Sequence, residues 1–409
     1  MSSPQAQLRR RISLFQLILY GLGTTIGAGI YALIGELAAV AGYLAPMAFL
    51  MASLMAGLTA LSFAELSSRF PRAAGAALYV QEGLGSRRLS TLVGLLVIVA
   101  GLVSASALVN GFVGYLGEFV PVDRVPAIVM VVLAVGALAA WGIAQSVTVA
   151  AVITLVEVGG LLLVIGASRG ALAELPERWP LLIPAADSAS WGAVFSGGLL
   201  AFYAYLGFED MVDVAEEVKQ VRRNMPLAIV ATLLITTTLY LAVMIGAVLA
   251  LPPAALAASE APLATLFQHY TGGAGPLMGV IGLFAIINGA LVQVIMAARV
   301  LYGMACRGQL PRALGAVDPR TGTPLLATAL ATLLMLAMAL AGRLGPLARI
   351  TSLVMLVVFA LVNAALLRVK RRDPHPAGVV VVPRWLPAGG LAMCVVVILV
   401  EIGGLVRAP

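Results

Sequence analysis

Long apolar runs separated by short clusters of Arg, Gly and Pro set the pattern of this chain from its first quarter to its last. A membrane-crossing helix needs about 20 predominantly apolar residues, and by that rule the runs predict eleven spans. They fall near 13–38, 42–68, 76–118, 125–142, 145–167, 191–217, 226–250, 274–303, 323–341, 346–368 and 386–406. The third is longer than a crossing requires and is expected to open with an amphipathic stretch. Two connections are long: Ser168–Ser190, with Pro176, Pro180 and Pro184, and Leu251–Gly275, with Pro252, Pro253 and Pro262. Both read as connectors rather than gates.

Two of the runs are interrupted where a span should be most uniform. Gly21–Tyr31 reads GLGTTIGAGIY. Glycine costs a helix interior roughly 1 kcal/mol relative to alanine, and a freed backbone group in hydrocarbon costs several kcal/mol unless protein, ligand or water satisfies it. A helix break over Gly23–Gly29 that lines a cavity is the expectation. The sixth run is interrupted at Tyr205–Asp210, YLGFED. Paired breaks at corresponding places in two halves point to a transporter built from inverted repeats. The halves are expected at about 13–168 and 191–368, inside a core of residues 1–370, with 371–409 adding one further transmembrane helix. At Gly27, Ala28 and Gly29 the backbone can turn, and the half-helix that follows points its positive dipole end into the cavity. That end suits a carboxylate, and the carbonyls of the other half suit an ammonium. The same small residues also fit a close helix-packing seam.

Composition agrees with the spans. The 409 residues are 61% hydrophobic and 11% charged, with mean hydropathy +1.05, against about 45–50% apolar and about 25% charged in soluble domains. No large soluble domain fits. The net charge of +7 and pI near 9.7 do not point to nucleic acid, because the basic residues sit in short loops. With the N-terminus cytoplasmic, only Arg124, Arg169, Arg178, Arg343, Arg349 and Arg407 of the 25 Lys and Arg fall outside. This asymmetry orients the chain. Arg9, Arg10 and Arg11 before an apolar run imitate a signal peptide, but the run is long and internally broken and reads as the first span. Cys306 and Cys394 suggest neither disulfide nor metal site. His269 and His375 lie in loops on opposite sides. No P-loop, nucleophile elbow or metal spacing occurs, so neither an enzyme nor a cofactor is expected.

Polar residues at depth supply the candidate chemistry. Ala201–Asp213, AFYAYLGFEDMVD, places Glu209 and Asp210 within a span, where a charge costs about 2.5–3.5 kcal/mol on insertion scales. Such acids argue for a water-filled interior. Phe202, Tyr203 and Tyr205 can close over a substrate, and aromatic faces attract ammonium groups. Asp213, Glu216 and Glu217 read as a structural ion-pair cluster with Lys219, Arg222 and Arg223. Glu157 stands mid-span with no basic neighbour in sequence. It is a candidate proton carrier, or else a buried acid bonded to a neighbouring helix. Glu65 and Glu82 read as loop or gate ion pairs beside Arg69, Arg72, Arg87 and Arg88. Ser104, Ser106, Asn110, Asn288 and Gln293 read as helix–helix hydrogen bonds worth about 0.6 kcal/mol each.

At GTTIGAGIY (23–31), ALSFAELSSRFPRAAGAALYV (60–80), GFEDMVDVAEEVKQVRRNMPLAI (207–229) and ARVLYGMACRGQLP (298–311), the chain resembles the amino acid–polyamine–organocation (APC) superfamily, bacterial amino acid transporter branch. The resemblance covers nearly the whole chain. It implies an all-α polytopic membrane protein with the LeuT-type 5+5 inverted-repeat fold, about eleven helices, and helices 1 and 6 broken. It also implies that Ile26, Gly27, Ala28 and Gly29, next to Thr25, hold a substrate carboxylate. Ala204, Tyr205 and Gly207 would meet the amino group or side chain, and Tyr203, with Phe202 as alternative, would be an aromatic gate. Glu209 matches the acid of the family's sixth-helix break. The chain departs from the pattern in three ways. Glu157 stands where proton-coupled relatives carry a lysine. Ala297 and Ala298 offer no hydroxyl where sodium-coupled members have one. Most members have twelve spans.

The expectation is a plasma-membrane permease that imports amino acids by alternating access with proton symport, Glu157 or Glu209 carrying the proton. The rivals are an exchanger or facilitator of amino acids or polyamines, and a non-transporting substrate sensor. The site admits a modest apolar side chain or, beside Glu209 and Asp210, a cationic one.

Overall fold

The computed structural model describes the backbone of residues 8–117, 123–259, 261–272, 275–341 and 345–407. It includes their side chains except at 28, 29, 31, 32, 114, 115, 117, 275, 276, 345–352 and 401–407. Among the described residues eleven apolar elements make up the bundle: α1 (Leu14–Ala41), α2 (Ala45–Arg69), α3 (Arg87–Gly117), α4 (Arg124–Trp141), α5 (Ile143–Ala167), α6 (Ser188–Glu217), α7 (Val221–Ala250), α8 (Gly275–Cys306), α9 (Leu325–Ala341), α10 (Gly345–Arg372) and α11 (Trp385–Arg407). They contain eight helical stretches long and apolar enough to cross a membrane and three shorter apolar ones, Leu14–Gly27, Leu325–Ala341 and Trp385–Val400. Each predicted run therefore has its helix. The long third run resolves into two elements, however. A separate helix Gly75–Leu84 ends on left-handed Gly85, and α3 begins at Arg87. Apolar runs mark where a helix can hide in lipid, but they do not mark a turn between two buried helices.

Local chemistry sets the ends. At α1, the Ser13 hydroxyl accepts from the Gln16 N–H while Gln16 Oε1 accepts from the Ser13 N–H, a capping box that closes the first turn. The long connections hold short helices, among them Arg169–Ala173 and Pro262–Thr271. Among the described residues the backbone forms no strand beyond a lone bridge between Ile12 and Val218.

The polar and apolar residues are arranged inside out, as lipid requires. Leu133, Leu155, Leu234, Leu333 and Leu399 are exposed on the outer helix faces, whereas Glu65, Glu157, Glu217, Arg299 and Lys370 are buried. The broken α1 lies at the centre, against α5, α6, α7 and α8. Helices α3 and α8 pack together, α2 packs between α7 and the first half of α6, and α11 leans on α10 and α2. The breaks of α1 and α6 are thus enclosed by protein on most sides.

Candidate functional site

The interruption of α1 is narrower than its glycine content suggests. Residues 21–26 stay helical, and the Thr24 and Thr25 hydroxyls both donate to the Gly21 carbonyl at 2.8 Å. The break is at Gly27, with φ 25° and ψ −154°, a conformation that an L side chain rarely adopts. A Cβ placed on Gly27 would find no atom within 4 Å. The break therefore faces open space, and Thr24 beside it is half-buried. Ala28 and Gly29 resume the helix, and their side-chain surroundings lie outside the described residues.

Helix α6 loosens more gradually. Regular helix ends at Phe202, Tyr203–Tyr205 form a 3-10 turn, and Leu206 is extended. Gly207 is left-handed at φ 119°, after which Phe208–Glu217 continue as 3-10 helix. A Cβ on Gly207 would lie 2.5 Å from the Thr24 carbonyl oxygen. Only a glycine lets the two broken helices approach so closely.

Tyr240, in the middle of α7, joins them. Its hydroxyl lies 2.9 Å from the Thr25 carbonyl and 3.1 Å from the Ala204 carbonyl, one from each broken helix. These are the kind of groups that unwinding releases from their helical partners. The ring packs against Phe49 and Tyr205 with centroids 5.3 and 5.4 Å away. Sequence reasoning passed over Tyr240. The available signal was a single Tyr deep inside an otherwise apolar span, away from the interfaces where aromatics usually collect.

The other anticipated residues divide between the open space and the packed surround. Ile26, Ala204 and Tyr205 are buried, and Phe202 is buried against Phe359, with ring centroids 6.3 Å apart. Tyr203 is 37% exposed. Glu209 turns back on its own loop, where its Oε2 accepts the Gly207 N–H at 2.8 Å and so satisfies a donor freed by the break. Asp210 accepts from Gln293 of α8 at 2.7 Å. Both acids are nearly fully buried.

Glu157 sits below the α1 break in a polar cluster shared by three helices. Asn288 Nδ2 of α8 donates to Glu157 Oε1 at 2.9 Å and to Thr154 Oγ1 at 3.0 Å. Helix α1 passes so near at Gly23 that a Cβ there would meet Asn288 Nδ2 at 2.6 Å. Gln293 and Asn288 are thus helix–helix contacts that also hold the acids. In α3, Ser106 and Asn110 donate to the Met335 and Ala339 carbonyls of α9.

At the end of the bundle that carries the N-terminus, the packing is closed. Glu217 pairs with Arg299 of α8, nitrogen to oxygen 3.2 Å, and both side chains are fully buried. This replaces the expected cluster with Lys219, Arg222 and Arg223, which the sequence placed nearby but which form no ion pair among the described residues. Glu216 accepts from the Ala73 N–H and from the Tyr302 hydroxyl. The backbone N–H groups of Arg11 and Ile12 both donate to the Glu217 carbonyl. Glu65 forms pairs with Arg69 at 2.6 Å and with Lys370 of α10 at 2.7 Å.

Two broken helices that touch at Thr24 and Gly207, the first opening on free space at Gly27, inside a bundle of apolar helices, are the arrangement of the LeuT-type fold. The whole backbone follows that fold: an outward-open, substrate-bound Na+-coupled sialic acid symporter matches 98% of this chain and 91% of its own, with TM-score 0.63 at 12% identity. Sequence comparison narrows the class. The amino acid permease family model matches residues 12–405, and the chain belongs to that family. A branched-chain amino acid permease of Bacillus subtilis is 29% identical over 404 residues, spanning 91% of this chain and 83% of that protein. An uncharacterized transporter of Mycobacterium tuberculosis is 30% identical over 394 residues, spanning 95% and 86%. The protein is a transporter and not an enzyme.

Proposed function

We propose that this protein imports amino acids across the plasma membrane by alternating access, coupled to protons. The observation that carries the reading is the contact of Gly207 with Thr24 just before the Gly27 break, the two broken helices tied by Tyr240 and Gly27 opening on free space. On this reading Thr25, Ile26, Gly27, Ala28 and Gly29 hold the substrate carboxylate at the positive start of the second half of α1. Phe202, Tyr203, Ala204, Tyr205, Gly207 and Glu209 surround its amino group and side chain. The core is residues 1–370, and α11 is an addition to it.

The loop-charge asymmetry supports a cytoplasmic N-terminus. The closed end, with Glu217–Arg299 and the docked segment at Ile12, is then the cytoplasmic exit. It must part for substrate to leave. Proton coupling rests on two membrane-depth carboxyls, Glu209, which accepts a bond of the α6 break, and Glu157, bonded to the Asn288 against which α1 packs. A proton gained or lost at Glu209 changes a hydrogen bond of the α6 break, and one at Glu157 changes its bond with Asn288, against which α1 packs at Gly23; this is how protonation can bias the arrangement of the broken helices.

The test uses the purified protein in proteoliposomes. A thermal-shift panel of common amino acids and polyamines first identifies a substrate. Accumulation should then require an inward proton gradient, and Glu157→Gln or Glu209→Gln should leave exchange but abolish gradient-driven accumulation. Uptake that needs internal substrate and ignores pH would instead select an exchanger. Binding without flux would select a sensor.

A further inference from the structure

A basic depression lies at the start of α3, apart from the broken helices. Arg87, Arg88, Thr91 and Gln309 line a depression of about 450 Å3. Arg87 and Arg88 are both exposed. Among the described residues no carboxylate comes within ion-pair distance of either, since the acids at this end pair with Arg69, Lys370 and Arg299. Arg87 is held from behind, its Nη2 donating to the Gly308 carbonyl. Its remaining N–H groups are thereby set in place while Arg88 stays free to adapt. The floor is fixed as well, because Gln309 Nε2 donates to Gln81 Oε1 at 3.0 Å and to Ser90 Oγ at 2.8 Å.

What lies below the two arginines decides the ligand. Arg88, Leu92, Leu95 and Val99 follow at intervals of four, three and four residues, which puts them along one face of the helix. Leu92, Leu95 and Val99 are all substantially exposed. One face of α3 thus runs from an uncompensated positive head into an open apolar ridge that faces the bilayer. A soluble anion would use only the head. A molecule with an anionic head and hydrocarbon tails uses both.

We propose that the depression at Arg87, Arg88, Thr91 and Gln309, continued by Leu92, Leu95 and Val99, binds an anionic phospholipid. The guanidinium groups take the phosphate, whose geometry they match through paired N–H donors, and an acyl chain lies along the ridge. Basic pockets between transmembrane helices are suited to such headgroups, with roughly fivefold in affinity gained per arginine near the surface.

Full-length protein is titrated with phosphatidylglycerol and with phosphatidylcholine, and the retained lipid is counted by native mass spectrometry. Phosphatidylglycerol should be retained saturably and phosphatidylcholine should not. Arg88→Ala should weaken phosphatidylglycerol binding about fivefold, the equivalent of one arginine's share. Because Arg88 is exposed and makes no described contact, the variant should elute and melt like the wild type. Leu95→Asn, which leaves both charges in place, should also weaken retention. The proposal fails if the two lipids bind alike, if both variants bind like the wild type, or if millimolar inorganic phosphate displaces the lipid.

Discussion

The hydroxyl of Tyr240 should matter far more than its single oxygen atom suggests. Tyr240→Phe removes that oxygen and leaves the ring in place against Phe49 and Tyr205. Packing is therefore nearly unchanged, and any effect belongs to the hydrogen bonds. One proton is shared between the Thr25 and Ala204 carbonyls, at 2.9 and 3.1 Å. Its loss removes a bond worth about 0.5–1.5 kcal/mol and leaves buried acceptors short of a donor, at about 1–3 kcal/mol. Measured couplings between membrane helices are smaller, about 0.6 kcal/mol on average. A fall of about 1–2 kcal/mol in the stability of the joined α1–α6 arrangement is the expectation, or roughly 5- to 30-fold in its population. Substrate binding should weaken by a similar factor, because only the joined arrangement presents both breaks to one ligand. The assay is substrate titration by thermal shift in parallel with uptake by proteoliposomes. A Tyr240→Phe protein with wild-type affinity and wild-type melting temperature would refute the reasoning.

Other perturbations test other contacts. Gly207→Ala places a methyl 2.5 Å from the Thr24 carbonyl oxygen in a backbone conformation suited to glycine; strain of about 1–3 kcal/mol and overpacking of similar size should lower the melting temperature and abolish uptake. Arg299→Met leaves the buried Glu217 carboxylate alone, at about 3–5 kcal/mol, whereas Arg299→Met with Glu217→Leu should recover most of the loss. A single variant that melts no lower than the double variant would show that the pair is not holding that end closed. Asp187 caps α6 by accepting the Ser190 N–H at 2.8 Å and its hydroxyl at 2.9 Å; first the backbone donor and then the hydroxyl hold its carboxyl below the ordinary aspartate range. A lowered folded value means that the cap contributes above the unfolded pKa, about 3.9, and that its contribution is lost as pH falls through the folded one. Asp187→Ala should therefore lower the melting temperature at pH 7, with the difference shrinking below about pH 4.

The eleven helices could be read almost directly from the sequence. Hydrocarbon imposes a length and a composition on each crossing without regard to what packs beside it, so a linear pattern suffices. The breaks in α1 and α6 were legible for the same reason: glycines and acids at membrane depth cost too much to be accidental. The limits of each break were less legible. Local sequence spread the first break over Gly23–Gly29, yet the hydroxyls of Thr24 and Thr25 keep their turn helical and confine it to Gly27.

Pairwise meetings across the bundle were decided by tertiary structure alone. Sequence proximity offered Lys219, Arg222 and Arg223 as partners for Glu217, but the fold supplies Arg299, 82 residues away. Glu157 had no neighbour of note in sequence, and it is α8 that brings Asn288 to it. Tyr240 looked like one more aromatic residue until two unwound carbonyls arrived beside it. A chain records the cost of placing each residue in lipid. Which distant residue offsets that cost depends on how the helices pack, and no single stretch of the chain encodes it.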